Sequence, residues 1–154
     1  MKHQVFMQSL IKYIPALVIK YIMQSPASAN RTLPEVQKLN TVVLFADISG
    51  FTSISEAYSK MGPRGCEDLV FCINRYMESL VKLIGKYGGD IIKFVGDALI
   101  VLWPVDNENL ESLAIKAGQC ALEIQNELNN KMMADNSSKL SVKVCIYIDW
   151  NRSW

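Results

Sequence analysis

Two aspartates, Asp47 and Asp97, each close an apolar run at a point where the chain must turn. In Thr41–Thr52, read TVVLFADISGFT, the run Val42–Ala46 is too apolar for a half-exposed strand and predicts a buried central strand with Asp47 at its exit. Gly50 then permits a close backbone approach and Thr52 can cap a following helix, so free amides should point toward the side of Asp47. A carboxylate beside free amides is a place for a metal and a phosphate. In Gly88–Pro104, read GGDIIKFVGDALIVLWP, the runs around Ile91–Val95 and Leu99–Trp103 flank the turn signal Gly96-Asp97, which puts Asp97 at a hairpin tip.

The elements between the acids decide whether they meet. A helical segment joining the first strand to the hairpin, crossing over right-handed, makes the first strand and the hairpin's first strand parallel, with their carboxyl ends at one sheet edge. Singly, either acid could serve a turn. Two carboxylates at one edge repel unless a cation or proton offsets them. The helical segment after Thr52 breaks at Met61-Gly62-Pro63 and resumes with Leu69, Ile73, Tyr76, Met77, Leu80, Leu83, Ile84 and Tyr87 on one face. Gly88-Gly89 ends it, and Asp90 is expected to serve the turn into the hairpin, in preference to binding metal. A second helical segment spans Asn107–Lys131, a loop covers 135–138, and a last strand spans Leu140–Ile148. The order β, α, β, β, α, β is that of a ferredoxin-like α/β sandwich with both helices on one face.

FADISGFT, followed by GGDIIKFVGDALIVLW, resembles the class III nucleotidyl cyclase homology domain, most of all the first catalytic domain of soluble, bicarbonate-regulated adenylyl cyclases, over roughly Ile11–Val144. The resemblance implies that Asp47, Ile48 and Asp97 hold two magnesium or manganese ions, one activating the ribose 3'-hydroxyl of ATP and one holding its triphosphate. It carries phosphate contact onto Ile48, Gly50, Phe51 and Thr52, with the Phe51 ring packed beneath the loop, and onto Lys143 in SVKVCI. Lys93 matches a lysine that reads the base in symmetric members and lies at the bicarbonate site in the soluble cyclases' first domain. By alternation it should share a face with Asp97, and a structural ion pair is the competing role. A second catalytic domain, in cis or in trans, is the implied partner. It would supply the adenine-reading lysine and the asparagine and arginine that stabilise the transferring phosphate. Cys145 stands where the family has a glycine, and after it the expected strand, hairpin and helix are not found. Gly88-Gly89-Asp90 also suggests a diguanylate cyclase, but Ile91-Ile92 follow where that family has Glu-Phe.

Composition narrows the alternatives. With 154 residues, half of them apolar, the chain can form one cored domain. A net charge of +1 without a basic run argues against nucleic-acid binding. Cys66, Cys72, Cys120 and Cys145 show neither zinc spacing nor CxxC and read as small buried hydrophobes of a reducing compartment. The single histidine, His3, leaves carboxylates as the metal ligands. Met1–Ser25 has near-helical apolar spacing, interrupted by Lys12 and Lys20, which breaks a membrane span, and Pro15 kinks or restarts the helix. Packing against the sheet is preferred over lying on a membrane surface, and Ala27-Ser28-Ala29 only superficially resembles a cleavage site. The expected organisation is an N-terminal helix and linker over 1–40, a partial catalytic domain over 41–149 and a tail over 150–154, in a cytoplasmic protein with no transmembrane segment and an affinity for membranes at most peripheral. The expected function is the metal-binding half of an adenylyl cyclase, inactive alone; the rival is a non-catalytic regulatory or nucleotide-binding domain.

Overall fold

The structure is a computed structural model that describes residues 14–24, 36, 38–132 and 139–148. Its centre is strand β1 (Thr41–Ser49), in a five-stranded sheet ordered β2-β3-β1-β5-β4, with β2 at Asp90–Val95, β3 at Ala98–Pro104, β4 at Lys131–Met132 and β5 at Lys139–Ile148. All pairings are antiparallel. Because β3 lies between them, β1 and β2 run in the same direction without touching, so the crossover expectation holds for direction.

Helices α2 (Phe51–Ser59), α3 (Pro63–Lys86) and α4 (Leu110–Leu128) follow in chain order, after α1 (Ala16–Gln24). Val42, Leu44, Ala46 and Ile48 are fully buried, whereas Phe45, on the other face, is 40% exposed. β1 is therefore central but covered on one face only, a correction to the expectation of burial on both. α3 and α4 pack antiparallel: the Tyr76 hydroxyl donates to the Leu128 carbonyl at 3.0 Å, and Cys120 lies against the Leu83 carbonyl. Burial pushes the Tyr76 hydroxyl up to about 12, so it remains a donor, and the Cys120 thiol up to about 11. At the turn into β2, the Trp103 indole N–H donates to the Tyr87 carbonyl at 2.8 Å. A Cβ on Gly89 would come within 2.6 Å of that indole, so glycine is required there by space.

Four expectations change. The second helical segment stops at Leu128, and Asn130, at φ 53°, turns the chain into the short strand β4. Cys120 alone of the four thiols is buried; Cys66 and Cys145 are exposed. Asp90 caps a distant helix: its carboxylate accepts from the amides of Ala16 at 2.9 Å and Leu17 at 2.8 Å, and Lys20 pairs with Asp106 alongside. Helix α1 thus starts directly after Pro15 and is held at its first turn and at its middle, though none of its residues is buried. Finally, β2 is an edge strand with Lys93 exposed, so Lys93 needs no partner to offset burial. The expectations for residues 1–13 and 149–154, and for the loop 135–138, fall outside the described residues.

Candidate active site

The exit of β1 and the β2–β3 hairpin tip are joined directly. Asp47 is the cross-strand partner of Ala98, and the Ile48 amide donates to the Asp97 carbonyl at 3.1 Å. The two acids are therefore neighbours at one sheet edge. Asp47 is partly exposed and Asp97 exposed, and neither side chain has a hydrogen-bond or ion-pair partner among the described residues. On its other side Asp47 faces Lys143 of β5, also exposed. Residues directly opposite across a ladder project to the same face, so Asp47 and Lys143 share the uncovered side of the sheet.

Ile48 itself is buried, and its amide is taken by Asp97. A strand residue directs its N–H and C=O to the same edge, so the Ile48 carbonyl faces the hairpin tip. Two carboxylates and one carbonyl suit a magnesium or manganese ion that keeps water and takes phosphate oxygens as its remaining ligands. Among the described residues no group of three or more His, Cys, Asp or Glu side chains converges.

Gly50 is the N-cap residue of α2, at φ +105°, with no side-chain cap. A Cβ there would lie 2.5 Å from the Lys139 carbonyl oxygen, so the loop and the start of β5 touch backbone to backbone. The first helical bond runs from the Ile54 amide to the Gly50 carbonyl at 3.1 Å. The amides of Phe51, Thr52 and Ser53 precede it and have no intrahelical acceptor. Thr52 is inside the helix and does not cap it, and the Phe51 ring packs against the core. Ser53 was missed because the helix begins one residue after glycine; Gly at an N-cap was the signal available. Lys93 pairs with Ile100 after a bulge, in a row with Phe45 and Cys145, whereas Asp97 lies in the turn. The expected shared face of Lys93 and Asp97 is not formed by strand alternation.

Residues 34–148 match the Adenylate and Guanylate cyclase catalytic domain family. This chain belongs to that family. Its cyclase domain is 37% identical over 113 residues to adenylate cyclase type 10 of Mus musculus, a match covering 72% of this chain and 7% of the mouse protein. The Rattus norvegicus type 10 enzyme is 41% identical over 93 residues, covering 59% of this chain and 6% of that protein. Among solved structures, the adenylyl cyclase CyaB from P. aeruginosa superposes with a TM-score of 0.57 at 25% identity, covering 73% of this chain and 57% of that one. The chain thus spans only about 6–7% of the length of these type 10 relatives. The antiparallel sheet with helices on one face is the class III cyclase fold. Such domains bind a nucleotide, dimerise and generally use divalent metal ions. No helix among the described residues is long and apolar enough to cross a membrane.

Proposed function

We propose that this chain provides the metal-binding half of an adenylyl cyclase site, acting in cyclic-nucleotide signalling once paired with a second catalytic domain. The observation that carries the reading is the junction of Asp47 and Asp97 through the Ile48 amide, beside the uncapped start of α2. Asp47, Asp97 and the Ile48 carbonyl would hold two magnesium or manganese ions. Held there, divalent ions would supply a lowered pKa at the ribose 3'-hydroxyl and positive charge against the triphosphate. The amides of Phe51, Thr52 and Ser53, in the positive field of the helix start, bind the triphosphate, and Lys143 draws it toward Asp47. The 3'-oxygen then attacks the α-phosphorus, the bond to pyrophosphate breaks, and the hydroxyl proton leaves to solvent, giving 3',5'-cyclic AMP.

The uncovered sheet face supports the need for a partner, since it carries Phe45, Lys93, Cys145 and Tyr147 among its exposed residues. ATP is the proposed substrate because the type 10 relatives are adenylate cyclases. Lys93 on that face is assigned to base contact or to bicarbonate. We assign residues 41–149 to the catalytic piece, 1–40 to an N-terminal helix and linker and 150–154 to a tail, in the cytoplasm. The test is manganese- or magnesium-dependent ATP cyclisation by the chain alone and mixed with the second catalytic domain of a type 10 enzyme. Loss of one transition-state donor costs about 100- to 1,000-fold, so the chain alone should stay near background while the mixture turns over. Robust cyclic AMP formation by the chain alone would refute the half-site reading, and silence of the mixture would favour a non-catalytic regulatory domain.

A further inference from the structure

We propose that Lys139 is a second phosphate-contacting cation, holding the terminal end of the nucleotide's triphosphate. This rests on the reading of the Gly50–Ser53 turn as the triphosphate site and adds a residue to it. The β1–β5 register pairs Asp47 with Lys143 and Ser49 with Ser141. Going on past the end of β1, the next residue of β5 on the same face is Lys139. Burial follows that alternation: Leu140 and Val142 are buried against the helices, and Lys139 and Lys143 are exposed. The contact at Gly50 fixes the same place independently, because its Cα sits against the Lys139 carbonyl with no room for a methyl group.

Lys143 and Lys139 therefore bracket the loop along one strand, about 13 Å apart at roughly 3.3 Å per residue. Lys143 stands beside Asp47, where the reacting α-phosphate would lie. Lys139 stands beside the start of α2, to which the chain of phosphates would extend. Their place beside the loop separates them from Lys38, Lys60, Lys93 and Lys131, which also have no ion-pair partner among the described residues. Lys20, Lys82, Lys86 and Lys116 each hold a carboxylate, while neither Lys139 nor Lys143 has an ion-pair partner among the described residues. In a chain of net charge +1, two lysines that hold no carboxylate among the described residues and flank uncapped amides form a local positive field suited to a polyanion longer than a single phosphate.

The test compares the 154-residue chain with its Lys139→Gln, Lys139→Arg and Lys131→Gln variants, using manganese-dependent binding of α,β-methylene-ATP and of AMP measured by calorimetry. Lys131 pairs with the buried Leu140 across the same short hairpin and so lies on the opposite face, which makes it the control for general charge. Lys139→Gln should weaken the triphosphate analogue about three- to fivefold, as expected of one solvent-exposed charge contact, and leave AMP unchanged. Lys139→Arg should restore it, and Lys131→Gln should do nothing. An unchanged affinity in Lys139→Gln, an equal loss for AMP, or an equal loss in Lys131→Gln overturns the assignment while leaving the site itself standing. Absence of manganese-dependent binding by the unmodified chain overturns the site, and the role of Lys139 with it.

Discussion

Gly50→Ala isolates the contact between the α2 start and β5. The substitution meets two obstacles. At φ +105° an L-residue is disfavoured by about 1–2 kcal/mol. In addition the new Cβ would stand 2.5 Å from the Lys139 carbonyl oxygen, well inside ordinary contact, so backbone must move in the loop or in β5. Forced repacking of that kind costs about 1–3 kcal/mol. Together about 2–5 kcal/mol would be lost from a domain whose whole stability should be about 5–15 kcal/mol. Gly96→Ala is the internal reference: Gly96 also has positive φ, at +62°, but a Cβ there meets nothing within 4 Å. It should cost only the left-handed penalty, about 1–2 kcal/mol. Urea unfolding followed by circular dichroism at 25 °C gives both values, and the difference, about 1–3 kcal/mol, measures the contact. Equal midpoints and equal slopes for the two variants would refute the claim that Gly50 touches β5.

Asp47→Ala or Asp97→Ala should each abolish manganese-dependent binding of an ATP analogue without lowering the unfolding midpoint, because relief of repulsion offsets the lost polar group; retained affinity in calorimetry would sink the metal assignment. Asp90→Asn weakens the two bonds to the start of α1 by removing their charge and should release that helix at a cost of about 1 kcal/mol, seen as faster proteolysis at Lys20 with the rest of the domain intact. Hydrogen bonds from Lys86 and then Tyr87 hold the Glu123 carboxyl below its usual range, so its stabilising effect is present above the ordinary carboxylate pKa and is lost as pH falls through the lowered value. The melting-temperature difference between the wild type and Glu123→Gln should accordingly be largest near pH 7 and close in acid; a difference that persists at pH 2 would contradict this.

The parts of the fold set by local pattern could be read from the chain. Gly62-Pro63 breaks the helix where the structure does, Gly96-Asp97 makes the hairpin tip, and the shared direction of β1 and β2 brings Asp47 and Asp97 together. What escaped depends on contacts remote in sequence. Asp90 looked like a local turn residue because nothing nearby signals that it caps a helix 73–74 residues away. Phe45 looked buried because apolar character cannot tell a face packed by helices from one left open. The two-residue β4 is too short to have a periodicity, and Lys139 is one lysine among many until the register beside Gly50 is known.

The one-sided sheet has a consequence for how this protein behaves at different concentrations. Phe45 and Tyr147 lie on the sheet face that no helix among the described residues covers, and their exposures are 40% and 63%. Anything that covers this face binds the folded chain and not the unfolded one, so it adds RT ln(1 + [L]/Kd) to stability. At a partner concentration of about 100 times Kd, that is about 2.7 kcal/mol, a sizeable part of a small domain's total. The melting temperature is then a titration curve in disguise, and the level of a partner in the cell would set how long the chain survives as well as whether its site is complete.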